Sequence, residues 1–201
     1  MAGIQGTIFM SLPACNTKLC AMARKLDHAD VSVCALFNRL SHQRNIRGVF
    51  QVFSRLGDGI FWYAIMAFLP LVAGYEGALI SLHTGFTALA GLLLYKLTKQ
   101  ISGRERPYVM HAGRVACAMP PLDRYSFPSG HTLHAVSFTI VLCGYLPSML
   151  WILVPFSLMV ALSRLVLGLH YPSDVLAGAL IGGLLAVFSF DLAVMLGLTV
   201  Y

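Results

Sequence analysis

The sequence predicts an all-α, integral-membrane helical bundle of five to six transmembrane helices with amphipathic helices at its N-terminus, and three observations carry the prediction. The 201 residues are 58% hydrophobic and 11% charged, with a mean hydropathy of +0.76, too apolar for a water-soluble domain of this length. Apolar runs recur at 60–74, 78–97, 132–146, 150–169 and 175–200. About 20 such residues cross a hydrocarbon core, and somewhat fewer suffice. The stretch 30–56 reads differently: Val31, Val33, Leu36, Phe37 and Leu40, then Val49, Phe50, Val52 and Phe53, interleave with Arg39, His42, Arg44, Arg47 and Arg55. That pattern suits helices lying in the membrane interface better than one more span.

No Pro/Ser-rich tract, charge block or repeat divides the chain. Residues 1–57 are therefore read as an interfacial region attached to a transmembrane core over 58–201, within a single domain. Lys18, Arg24 and Lys25 follow a weak apolar stretch broken by Pro13 and Asn16, the reverse of the order in a cleaved signal peptide. Cys15, Cys20, Cys34, Cys117 and Cys143 show no CxxC or zinc-type spacing, so free thiols are expected. The net charge of +6 fits a membrane surface or an anionic substrate, and no nucleic acid partner is expected.

The charges are gathered. All 14 Lys and Arg residues fall before Asp58, between Lys96 and Arg124, or at Arg164, and the connections at Tyr75-Glu76 and Leu146-Pro147-Ser148 carry none. If 60–97 forms a two-helix hairpin, the segment 30–58, the loop 96–127 and the turn at His170 share one membrane face.

Three polar clusters lie on that face. In "KQISGRERP", Lys99 and Arg106-Pro107 are separated by six residues; "PSGH" is Pro128-Ser129-Gly130-His131; and "SRLVLGLHYPSD" sets Ser163-Arg164, His170 and Asp174 in order. Cations at a membrane find a natural partner in a dianion, although Lys99 or Arg106 alone would equally serve as a flanking, snorkelling residue. Arg164 sits inside an apolar run and must face protein or water. The tetrad reads as a helix start: Ser129 can cap, Gly130 lets a ligand approach the backbone, and free amides and the helix dipole favour an anion. By itself it is as well explained by an ordinary cap. Pro172 suits a first helical turn and puts Asp174 where a carboxylate can reach back to His170, leaving the other ring nitrogen free as a nucleophile or base. The pair alone also fits a structural contact. "GALIG", residues 178–182, offers small residues for close helix packing.

Together the clusters resemble the three-part signature of the type 2 phosphatidic acid phosphatase family, K-x6-R-P, P-S-G-H and S-R-x5-H-x3-D, matched in order at all eleven specified positions. The resemblance implies a metal-independent, integral-membrane lipid phosphatase. It implies His170 as the nucleophile that forms a phosphohistidine, Asp174 as the group that orients it, and His131 as the acid on the leaving oxygen. Lys99, Arg106, Ser129, Gly130 and Arg164 would cradle the phosphoryl oxygens. The substrates it implies are lipid phosphomonoesters or diphosphates such as phosphatidic acid, phosphatidylglycerophosphate or undecaprenyl diphosphate. A lipid phosphotransferase would use the same phosphohistidine, and a non-catalytic membrane scaffold would keep the same fold. The family pattern has six spans and this chain shows five clear ones. Basic-residue counting puts the site face in the cytoplasm, whereas the resemblance puts it on the extracytoplasmic side of a bacterial inner membrane. Phosphate binding accounts for Lys99, Arg106 and Arg164, which favours the latter, while Arg39, Arg44, Arg47 and Arg55 on the same face keep the cytoplasmic alternative open.

Overall fold

A computed structural model describes residues 18–197; the leader expectation and Cys15 lie outside them. Helix α1 (Lys18–Asn38) leads through a 3-10 turn to α2 (Arg44–Arg55), and a single π turn, Leu56–Ile60, joins α2 to α3 (Phe61–Ser102). A short α4 (Pro107–Met110) precedes a long loop, α5 (Gly130–Tyr145), α6 (Leu150–Val166) and α7 (Pro172–Met195).

Helix α3 is a hairpin. Gly74, at φ 56 and ψ −130, breaks it into arms 61–73 and 75–102. The Ser81 hydroxyl donates to Met66 O at 2.8 Å, although in a straight helix these residues would stand about 22 Å apart. Gly77 seats the arms together, since a Cβ there would lie 2.1 Å from Leu69 O. The basic-free connection at Tyr75-Glu76 is the far tip, as the charge distribution predicts.

Among the described residues, three helical stretches are long and apolar enough to cross a membrane, the first containing the hairpin. Leu71, Trp151 and Met195 are more than four-fifths exposed, a lipid-facing surface on an integral membrane protein. Helix α5 is shorter and central, with Leu133, Ala135, Val141 and Leu142 fully buried. Helix α7 meets it backbone to backbone at the glycines of "GALIG": a Cβ at Gly178 would lie 2.5 Å from Ser129 O, and one at Gly182 would lie 2.3 Å from Leu133 O. Overpacking of that kind costs about 1–3 kcal/mol.

Helix α6 ends at Val166, three residues before its apolar run does. Hydropathy extends the predicted span to 169, but Gly168 takes φ +72 and lies under Ala116 O, where a Cβ would come within 2.4 Å. The chain turns there instead. The predicted end of the last span, 198–200, falls outside the described residues.

The amphipathic helices pack onto the body. Phe53 of α2 meets Phe156 of α6, whose ring stacks on Phe61 at 3.9 Å. Asn38, at the end of α1, donates to Ala116 O and Val166 O at 3.0 and 2.9 Å and accepts from Ala116 N at 2.7 Å, clamping the long loop to the end of α6. Cys34, Cys117 and Cys143 are free thiols.

Candidate active site

The fold brings the three clusters to one end of the bundle around a cavity of about 650 Å³. Lys99 comes from the last turn of α3, Arg106 from the residue before α4, Gly130 and His131 from the first turn of α5, Arg164 from the last turn of α6, and His170 from the α6–α7 turn. All six line the cavity. Ser129 and Asp174 stand just behind its wall, both fully buried. The Ser129 hydroxyl is taken up by the cap of α5, accepting from Thr132 N and pairing with the Thr132 hydroxyl at 2.9 Å. A backbone bond from Ser129 N to Asp174 O, 3.0 Å, locks the second cluster to the third.

His170 is nearly inaccessible. Its Nε2 lies 3.4 Å from Arg106 Nη1, while its Nδ1 faces Asp174 Oδ2 at 3.6 Å, beyond hydrogen-bonding distance. Both Asp174 oxygens have other donors: Tyr171 N at 2.9 Å in a capping box, and Arg104 Nη1 at 2.7 Å. Burial, then the positive charges of Arg106, Arg164 and Lys99, push the His170 pKa well below the ordinary imidazole value, leaving the ring neutral.

Arg104, a residue the sequence reading does not single out, ties this turn to α1. It reaches Ser173 Oγ and Asp174 Oδ1 with one nitrogen and Asp30 Oδ2 with the other, each at 2.7 Å, and its guanidinium lies 4.0 Å from the Tyr171 ring centroid. Asp30 also accepts from Ser173 N at 2.9 Å and from the Ser173 hydroxyl.

The cations are unequally satisfied. Lys99 Nζ donates to both Asp123 oxygens at 2.7 Å and to Tyr125 O at 3.1 Å, which uses its three protons. Arg106 reaches Asp123 Oδ1 at 2.7 Å, Asp123 O at 3.0 Å and Leu169 O at 2.7 Å. Burial works to raise the Asp123 pKa, but the hydrogen bonds and charges of Lys99 and Arg106 outweigh it and hold the carboxyl below its ordinary value. Arg164 is different: one nitrogen donates to the Ser54 hydroxyl of α2, and its buried Nε has no partner. His131 Nε2, also lining the cavity, contacts the carboxylate of Asp58, from the π turn before α3.

Sequence reasoning misses four acidic or basic residues here: Asp30, Asp58, Arg104 and Asp123. Asp58 and Asp123 line the cavity, and their only signal in the sequence is their place in its polar segments.

The PAP2 superfamily model matches residues 80–197, a stretch holding all three clusters. The chain belongs to the PAP2 superfamily. Undecaprenyl-diphosphatase BcrC of Bacillus subtilis is 32% identical over 151 residues, 75% of this chain and 77% of the relative. An undecaprenyl-diphosphatase of Sulfolobus acidocaldarius is 26% identical over 160 residues, 78% of this chain and 76% of the relative. The crystal structure of a PAP2 type phosphatidylglycerolphosphate phosphatase from Bacillus subtilis superposes with a TM-score of 0.65 at 23% identity, covering 88% of this chain and 92% of that one. This PAP2 protein is an integral-membrane lipid phosphate phosphatase.

Proposed function

We propose that the cavity hydrolyses a lipid diphosphate of the undecaprenyl class through a phosphohistidine on His170, on the extracytoplasmic face of a bacterial inner membrane. One juxtaposition carries the mechanism: His170 Nε2 lies 3.4 Å from a guanidinium nitrogen of Arg106, so a phosphoryl oxygen held by Arg106 has its phosphorus within reach of the ring. The unmatched Nε of Arg164 offers a second donor. Lys99 and Arg106, now satisfied by Asp123, exchange that carboxylate for the phosphate. A diphosphate is favoured over a monoester because two further cations, Lys96 and Arg124, line the same cavity, and both relatives above, matched over 77% and 76% of their length, are named undecaprenyl-diphosphatases.

His170 Nε2 attacks phosphorus, the bond to the leaving oxygen breaks, and His131 gives that oxygen its proton. Water then attacks phosphorus, its proton passes to His131, and the N–P bond breaks to release orthophosphate. As the imidazole gains positive charge, Asp174 closes the 3.6 Å gap to Nδ1. Lys99, Arg106, Arg164 and the Gly130 amide stabilise the oxygens in the transition state, and Ser129 holds the turn that presents Gly130.

The test is orthophosphate release in detergent micelles from undecaprenyl diphosphate, phosphatidylglycerophosphate and phosphatidate, with chelator present and no acceptor alcohol. Fastest turnover on the prenyl diphosphate is expected. No release until an acceptor is added would make the protein a phosphotransferase, and a preference for phosphatidate would overturn the substrate. Sidedness is read at the exposed Cys117, as the difference in impermeant-maleimide labelling between the native chain and Cys117→Ser in intact cells. Labelling only after the cells are opened would put the site in the cytoplasm.

A further inference from the structure

Asp58 lies outside the three clusters and before the matched family region, yet its carboxylate contacts His131 across 73 residues of sequence. The backbone around it is built to hold that position. Gly57 packs so tightly on α6 that a Cβ would meet Val160 Cγ1 at 2.9 Å. Gly59 adopts φ +136, open in practice only to glycine, and a Cβ there would lie 2.5 Å from the Tyr63 ring. The acid thus stands on a π turn between a tightly packed glycine and one whose backbone conformation requires glycine.

Charge gives the contact a purpose. Lys99, Arg106 and Arg164 share the cavity with His131 and His170, surroundings in which a protonated imidazole needs a counter-charge. Of the two carboxylates lining the cavity, Asp123 is taken up by Lys99 and Arg106, and Asp58 is the one that touches the ring. We propose that Asp58 is the positioning residue of the acid: it fixes the His131 imidazole at the cavity wall and supplies the negative charge that keeps its proton available for the leaving oxygen. The inference rests on the proposed role of His131.

Leaving-group dependence tests it, because kcat/KM reports the steps up to loss of the leaving group. In Asp58→Asn, kcat/KM for a lipid phosphomonoester such as phosphatidate, whose alkoxide leaving oxygen needs a proton, should fall about 100-fold. For p-nitrophenyl phosphate, whose phenolate leaves unprotonated, the fall should stay under about threefold, and inhibition by orthovanadate should hold within the same margin. An equal fall on both substrates, or none on the lipid, overturns the inference. If Asp58→Asn does not yield folded protein, Asp58→Glu is read instead: its aryl-to-lipid ratio should rise at least about fivefold, and an unchanged ratio is equally fatal. His131→Ala separates the two levels. Without leaving-group dependence in His131→Ala, the assignment of the acid itself fails; with it there but not in the Asp58 variant, only the present inference fails.

Discussion

His170 and His131 line one cavity, each faced by a carboxylate, but their surroundings are opposed. The side chain of His170 is 1% exposed and its carboxylate Asp174 is fully buried behind the wall, fastened there by Arg104 and Tyr171 N. His131 and Asp58 are 12% and 25% exposed, and both face the cavity. The difference matches the roles proposed for the two rings. A nucleophile needs an unchanging line of attack and a dry, neutral nitrogen, which burial and a rigid turn provide. An acid that later serves as a base must exchange protons with substrate and water, so its partner has to stay within reach of both.

The sharpest way to break this comparison is His170→Ala. Phosphate release and covalent phosphoryl labelling should both fall by at least about a thousandfold, measured by single-turnover assay, and appreciable labelling would move the nucleophile elsewhere. Next comes the support of the buried pair. Arg104→Ala removes the side chain that ties Asp174 to Asp30, and kcat should drop about 10–100-fold with much less change in orthovanadate affinity. Arg104→Lys should not restore it, since one ammonium cannot reproduce the fork that spans Asp30, Ser173 and Asp174.

A third carboxylate sharpens the contrast from another side. Asp123→Asn removes the resident negative charge from Lys99 and Arg106, so orthovanadate should inhibit about tenfold more tightly, by competition assay. Unchanged inhibition would mean that Asp123 and the phosphate do not share those donors. The smallest effect is expected from pH. A depressed imidazole pKa keeps the ring deprotonated, and so nucleophilic, at every pH above that lowered value. Labelling of His170 by an aryl phosphate, which needs no acid, should therefore stay level as pH falls through about 6.5, where a free imidazole would titrate. An inflection there would show the nucleophile to be less isolated than its burial implies.

The gathering of the signature residues at one end of the bundle was legible in the sequence, for a physical reason. Lys99, Arg106, Ser129, Gly130, His131, Arg164, His170 and Asp174 sit at helix ends, where spacing along the chain fixes spacing in space. The hairpin and the close α5–α7 contact were also foreshadowed, by the charge-free turn at Tyr75-Glu76 and by the glycines 178 and 182. Asp30, Asp58, Arg104 and Asp123 were not. Their partners lie from 17 residues away, for Arg106 and Asp123, to 143 for Asp30 and Ser173. Periodicity reports which face a residue occupies but not what stands opposite it. Hydropathy does not mark the end of α6, because Leu167 and Leu169 prolong the apolar run through a turn that Gly168 makes.

The clamp formed by α1 and α2 bears on how portable this chemistry is. Residues 80–197 contain every signature position, so a fragment trimmed to them would look complete on paper. It would lack Asp30, which tethers Arg104; Asn38, which pins the long loop to the end of α6; Ser54, which engages Arg164; and Asp58, which braces His131. Grafting the site onto another membrane scaffold therefore means carrying the chain from Asp30 onward, because the residues of the signature are held in place by a part of the chain that carries no motif.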